Sequence, residues 1–153
     1  MPFTLRAGCA GDAEVIAEFN CRLAEESENL LLDARRVRGG VAALLADANC
    51  GRYIVACEGA KIVGQLCITL EWSDWWNGWY WWIQSVYVVP AARQQGVFKA
   101  LFEEVVRQAR EAGNVAAVRL YVEGHNTRAQ KVYANLGMKE SGYHVLEMKL
   151  AAG

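Results

Sequence analysis

The chain has 153 residues and a formal net charge of −1, with 54% hydrophobic and 22% charged residues. That balance excludes a disordered segment and fits one domain, residues 1–153, with a sizeable core. No long basic run is present to bind nucleic-acid phosphates, no apolar run approaches membrane-spanning length, and no basic-then-apolar leader opens the chain. The expectation is a cytoplasmic protein without nucleic-acid or membrane partners.

In chain order, residues 3–6 read as a short strand. Residues 11–29 read as a helix, with Asp12 as N-cap and Val15, Ile16, Phe19 and Leu23 on one face. A second helix covers 33–48, with Val37, Val41, Leu44 and Leu45 apolar and a weak point at Gly39-Gly40. Residues 53–58 and 61–72 are strands joined at Gly59-Ala60. In the second of them Ile62, Leu66, Ile68 and Leu70 alternate with Gln65, Thr69 and Glu71. An aromatic loop, 73–78, leads to a strand over 79–89. Its alternation sends Trp79, Trp81, Ile83 and Ser85 to one face and Tyr80, Trp82, Gln84 and Val86 to the other.

A helix follows Gly96, with Val97, Phe98, Leu101, Phe102, Val105 and Val106 on one broad face, and ends near Gly113. Residues 115–123 form a strand, Gly124-His125-Asn126 opens a helix that stops at Gly137, and 143–150 form a final strand. The order is β-α-α-β-β-β-α-β-α-β, an α/β (α+β) domain without repeat or linker. Five cysteines, an odd number with no CxxC, speak against a disulfide framework or zinc ribbon. His125 and His144 have no ligand spacing to each other, so no metal is expected.

Residues 86–101, VYVVPAARQQGVFKAL, carry the chemistry. A strand that passes through a glycine turn into a helix presents backbone N–H groups at a positive helix end. That arrangement suits a phosphate or pyrophosphate, and Gly96 lets the ligand approach closely. Neither GxxxxGK[ST] nor GxGxxG occurs. The segment Arg93-Gln94-Gln95-Gly96-Val97-Phe98 resembles the acetyl-CoA signature (R/Q)xxGx(G/A) of the GNAT acyltransferase superfamily, with Phe98 in place of a small residue. A second segment, Asn126, Ala129, Val132-Tyr133 and Leu136-Gly137-Met138, resembles that family's N-x-x-A-x-x-(L/V/F)-Y-x-x-x-G-F. The order of elements from Phe3 to Leu150 is also the family's.

The resemblance implies a mixed central sheet with a V-shaped splay between the fourth and fifth strands, flanked by four helices. It implies acetyl-CoA as co-substrate. The pantetheine would lie along Val86, Tyr87 and Val88, and the pyrophosphate on the amides of Gln94, Gln95, Gly96, Val97, Phe98 and Lys99, beside Arg93. An acceptor amine would attack the thioester directly, with no nucleophilic cysteine. Tyr133 matches the tyrosine that protonates the departing thiolate, or is a packed aromatic on a helix face. Asn126 lies near the pantetheine or caps its helix. Glu123, Glu71, Asp74 and a water chain all stand as routes for the amine's proton. All six tryptophans fall between Trp72 and Trp82, as an acceptor wall, an aromatic core or a homodimer contact. Glu26, Glu71, Asp74, Trp75 and Trp82 are the residues placed at the acceptor. A small-molecule amine is the expected acceptor. A protein amine, or a regulatory acyl-CoA-binding module without catalysis, are the alternatives. A stacking module for sugars or bases leaves the loop at 93–98 unexplained.

Overall fold

Five strands form one mixed sheet in the order β1-β2-β3-β4-β5: β1 Thr4–Ala7, β2 Gly51–Glu58, β3 Lys61–Ser73, β4 Gly78–Val88 and β5 Val115–Leu120. The first three junctions are antiparallel and the last is parallel. A parallel neighbour needs a crossover, and α3, Val97–Ala112, supplies it between β4 and β5. The structure, a computed structural model, describes residues 2–150. The chain divides into two compact units between Tyr121 and Val122. The expected domain limits at 1 and 153 lie outside the described residues.

In the first unit, α1 (Ala13–Glu28) and α2 (Ala34–Ala46) cover one face of the sheet. Ile16, Phe19 and Val41 from the helices meet Tyr53, Val55, Cys57, Cys67 and Tyr87 from the strands. Helix α3 packs on the opposite face. A Cβ on Gly64 would come within 2.7 Å of Val97 Cγ1, so glycine there lets β3 and α3 approach closely. Residues 53–57 and 62–68 are buried throughout, because both faces of these central strands are covered. Gln65 is fully buried with them, so the polar face expected in this strand begins only beyond Ile68.

Asp12 occupies the N-cap position of α1, but its side chain makes no capping bond to that helix. A 3₁₀ turn, Ala10–Asp12, precedes the helix, and Asp12 already has right-handed helical dihedrals. Its carboxylate accepts two hydrogen bonds from Arg6, at 2.7 and 2.9 Å, and one from the Cys9 N–H at 2.8 Å. The Arg6 hydrogen bond holds this carboxyl down to about 2, against the opposing cost of burial. A tertiary cation has taken the side chain that local sequence offers to the helix end, and it ties β1 to the start of α1.

The alternation expected along β4 breaks at Ser85. Cys67 stands opposite Gln84, but Gln65 stands opposite Tyr87, so Leu66 faces two residues, Ser85 and Val86. Ser85 has φ +52, the left-handed conformation of a β-bulge. One extra residue reverses the facing of everything after it. Tyr87 therefore lies under α1, its ring centroid 5.1 Å from that of Phe19, while Val88 stands opposite Gly64 on the α3 face.

The second unit contains α4, Thr127–Asn135. The strand expected over 143–150 is not formed among the described residues, and β5 ends at Leu120 rather than at 123. A strand is defined by ladder bonds to a neighbour, and among the described residues of this unit no such ladder is formed.

Candidate functional site

Strand β4 outruns its parallel neighbour. The ladder to β5 ends where Ile83 stands opposite Leu120, yet β4 continues to Val88. This is the splay between fourth and fifth strands. On the other edge, the Val89 N–H donates to Val63 O at 2.9 Å. Alternation along an antiparallel ladder then turns the main-chain groups of Val86 and Val88 away from β3, toward the splayed side. The Val88 carbonyl on that side accepts Arg93 Nε at 2.9 Å.

After Val88 the chain makes a 3₁₀ turn, Pro90–Ala92, and two left-handed steps, Gln94 at φ +62 and Gly96 at φ +82. Gly96 is the N-cap of α3 and offers no side-chain acceptor, and no acid lies in the first turn. The first intrahelical bond, Ala100 N–H to Gly96 O at 3.0 Å, leaves the turn before it as an uncompensated positive end. A Cβ built on Gly96 meets no protein atom within 4 Å. Glycine is thus required by backbone conformation, and the space beside it is open. Phe98 sends its ring along α3 to Phe102, with centroids 6.2 Å apart, and Lys99 pairs at 3.8 Å with Glu103. Gln95 Nε2 ties the loop back to Ala91 O at 3.0 Å.

Glu26, expected over the acceptor, instead joins α1 to this loop. Its Oε2 accepts from Arg93 Nη2 at 2.7 Å, and its Oε1 accepts from the Tyr87 hydroxyl at 3.1 Å. The Arg93 hydrogen bond first, and that of Tyr87 after it, hold the carboxyl below the usual range. Burial, followed by the Glu26 hydrogen bond, pushes the Tyr87 phenol up.

A cavity of about 370 Å³ opens between α1, α2 and the β4 bulge. Leu23, Leu30, Leu32, Val37 and Val41 form apolar walls; Asn20, Tyr53 and Ser85 are polar, and Glu28 also lines it. Asn20 Nδ2 donates to the Tyr53 hydroxyl at 3.1 Å, and Asn20 Oδ1 accepts from Gln65 Nε2 at 2.7 Å. Gln65 Nε2 also donates to Ser85 O at 3.1 Å, which braces the bulge. Gln65 Oε1 is a buried acceptor without a donor among the described residues, an arrangement that costs about 1–3 kcal/mol. Burial pushes the Tyr53 phenol up, so it stays neutral at neutral pH. Sequence reasoning did not select Asn20, Tyr53, Gln65 or Ser85. The available signal was an amide set in each of two apolar patterns, at Asn20 beside Phe19 and at Gln65 within β3.

The other expected acceptor residues sit at the far end of the β3–β4 hairpin. Trp82 Nε1 donates to Glu71 Oε1 at 2.8 Å, and the Trp82 ring stacks on Tyr121 with centroids 4.5 Å apart. Asp74 and Trp75 lie in the tip turn, where Trp75 is 82% exposed. None of Glu26, Glu71, Asp74, Trp75 and Trp82 lines the cavity.

Within the second unit, Asn126 caps α4: its Oδ1 accepts the Ala129 N–H at 3.1 Å. At the other end Gly137, at φ +93, donates to Ala134 O (3.0 Å) and Met138 N–H donates to Tyr133 O (3.0 Å). These two bonds are a Schellman closure. The spacing of Asn126, Tyr133 and Gly137 is therefore that of a helix with both ends capped. Tyr133 is half-buried, and burial pushes its phenol up. Glu123 Oε2 accepts the His125 N–H at 2.8 Å in the turn before the helix.

Among the described residues no cluster of His, Cys, Asp or Glu could hold a metal, and no helix is long and apolar enough to cross a membrane. Burial pushes the Cys67 thiol up to about 12, far from a thiolate nucleophile.

Residues 16–138 match the model of the acetyltransferase (GNAT) family. A possible acetyltransferase from Clostridium difficile 630 is 39% identical, with 98% of this chain and 99% of that chain covered, at a TM-score of 0.93. An integron cassette protein from the mobile metagenome of Cole Harbour Salt Marsh is 26% identical over 97% and 91%, at 0.83. A predicted acetyltransferase with acetyl-CoA from Clostridium acetobutylicum shares the fold, at 19% identity over 96% of both chains and a TM-score of 0.78. No curated protein sequence matches the chain.

Proposed function

Because the chain belongs to the acetyltransferase (GNAT) family, we propose that it transfers the acetyl group of acetyl-CoA to the primary amine of a small molecule by direct attack. The observation that carries this reading is the continuation of β4 past its β5 ladder into a helix opened by Gly96. An extended pantetheine adds to the splayed edge as a strand would, through Val86 and the Val88 N–H, with Tyr87 facing inward between them. Arg93 holds the loop through the Val88 carbonyl and Glu26, and the amides from Gln94 to Lys99 receive the pyrophosphate at the positive end of α3. Asn126 sets α4, which carries Tyr133.

The amine nitrogen forms the C–N bond as the C–S bond breaks, and the C–S electron pair leaves on sulfur. Sulfur takes a proton from the Tyr133 phenol, and the nitrogen gives up one proton, so the net transfer is from nitrogen to sulfur. Glu123, held by the His125 N–H in the turn before α4, takes the proton the ammonium must lose before attack. Incubation of the protein with acetyl-CoA and a panel of primary amines should release free thiol only when both are present. Thiol release that no amine accelerates, with the N-acetyl product absent by mass, overturns the reading.

Glu26→Gln keeps a partner for Tyr87 but loses the ion pair to Arg93. An exposed pair is worth about 0.2–1 kcal/mol, so KM for acetyl-CoA should rise roughly 1.5- to 5-fold with kcat unchanged. Initial rates at varied acetyl-CoA check this. A fall in kcat at constant KM would remove Glu26 from the loop's support.

A further inference from the structure

We propose that the acceptor is a monoamine on a compact apolar body, selected by the lining of the cavity between α1, α2 and the β4 bulge; this rests on the transferase reading above. The cavity lies in the first unit and reaches β4 at Ser85, the residue before Val86, where the main chain turns to the splayed edge. An acceptor seated there therefore ends against the stretch of β4 that would hold the pantetheine. Its walls, Leu30 and Val41 among them, favour an apolar body. Asn20, Tyr53 and Ser85 give one end of the cavity hydrogen-bonding groups to orient a single polar head. Glu28 is the one carboxylate that lines it and no cation does, so it suits one positive charge and not several.

Helix α2 carries a second, independent sign. Gly40 lines the cavity inside an unbroken helix, and a Cβ there would meet no atom within 4 Å. Glycine at such a position costs about 1 kcal/mol relative to alanine, and neither φ nor a neighbouring atom requires it. What it preserves is room. Gly39, beside it in the same helix, has equally open space but does not line the cavity.

The test uses the full chain, acetyl-CoA and thiol release, with 3-methylbutylamine, 2-phenylethylamine, spermidine and a short peptide with a free N-terminus as probes. The expected kcat/KM is at least about tenfold higher for the two monoamines, the scale on which pocket contacts discriminate. Gly40→Leu should lower kcat/KM for 2-phenylethylamine by about tenfold or more, mainly through KM, with acetyl-CoA affinity intact. Gly39→Leu should leave it within about twofold, since this side chain enters no pocket contact. Preference for spermidine or the peptide overturns the assignment and leaves the transferase reading standing. So does a Gly40→Leu protein that behaves as Gly39→Leu does. Failure of the wild-type protein to bind acetyl-CoA overturns both.

Discussion

Replacing Tyr133 by Phe is expected to lower kcat about 10²–10⁴-fold, the usual cost of removing one general acid. Acetyl-CoA affinity should stay within about twofold, because the lost hydroxyl acts on charge that develops only as the thiolate leaves. Helix α4, which carries this residue, is closed at both ends. Asn126 closes its start, Gly137 and Met138 close its end, and Met138 bonds the carbonyl of Tyr133 itself. Burial raises the phenol above its ordinary value near 10, so the proton stays in place across the neutral range. The sign follows: an acid with a raised pKa keeps its proton to higher pH. The alkaline fall in kcat due to this group should therefore lie above pH 10. Steady-state rates on a turned-over amine, with acetyl-CoA binding measured separately, decide the matter. A Phe variant with unchanged kcat would assign Tyr133 to packing alone.

Gly96→Glu should abolish the thermal stabilisation that acetyl-CoA confers on the wild-type protein. A ligand at a hundredfold excess over its Kd stabilises the folded state by about 2.7 kcal/mol, which is roughly 5–11 °C in Tm for a chain of this size. Two effects coincide at this position. A side chain at φ +82 strains the backbone that turns the chain into α3, and a carboxylate beside the first-turn amides competes with a pyrophosphate for them. Gly96→Ala separates the two, since its Cβ meets no protein atom and adds no charge. The alanine protein should start at a lower Tm and still respond to acetyl-CoA. A glutamate protein with the full shift would move the cofactor's phosphates away from this helix end.

Local patterns reached the five strands of the sheet, the four helices and the loop at 93–98, because each is written in contiguous residues: alternation, a 3.6 period, and glycines at 59, 96, 113 and 137; the same alternation over 143–150 forms no strand among the described residues. Features made by distant residues were not legible. Asp12 precedes a helix and has the chemistry of a cap, but Arg6 is six residues away and binds it more strongly. The bulge falls on Ser85, with no glycine or asparagine to announce a left-handed residue. Everything beyond it faces opposite to the simple alternation, and Tyr87 lies under α1. Glu26 meets Arg93 across 67 positions of sequence. The cavity joins Asn20, Tyr53 and Ser85, which come from one helix and two strands. The tryptophan hairpin drew attention as an acceptor wall because aromatic content is visible in one dimension. Concavity is not.

The helix that bears Glu26 also lines the cavity. Helix α1 contributes Asn20, Leu23, Ala24 and Glu28 to the cavity and, from its last turn, grips the loop that begins at Arg93. A ligand that draws Arg93 toward itself competes with Glu26, a residue of the same helix that lines the cavity. By thermodynamic linkage, any change in cavity affinity produced at the loop returns as an equal change in loop affinity when the cavity fills. The order in which the two partners arrive then cannot alter the total free energy of the ternary complex. It determines only which of them meets a chain already biased by the other.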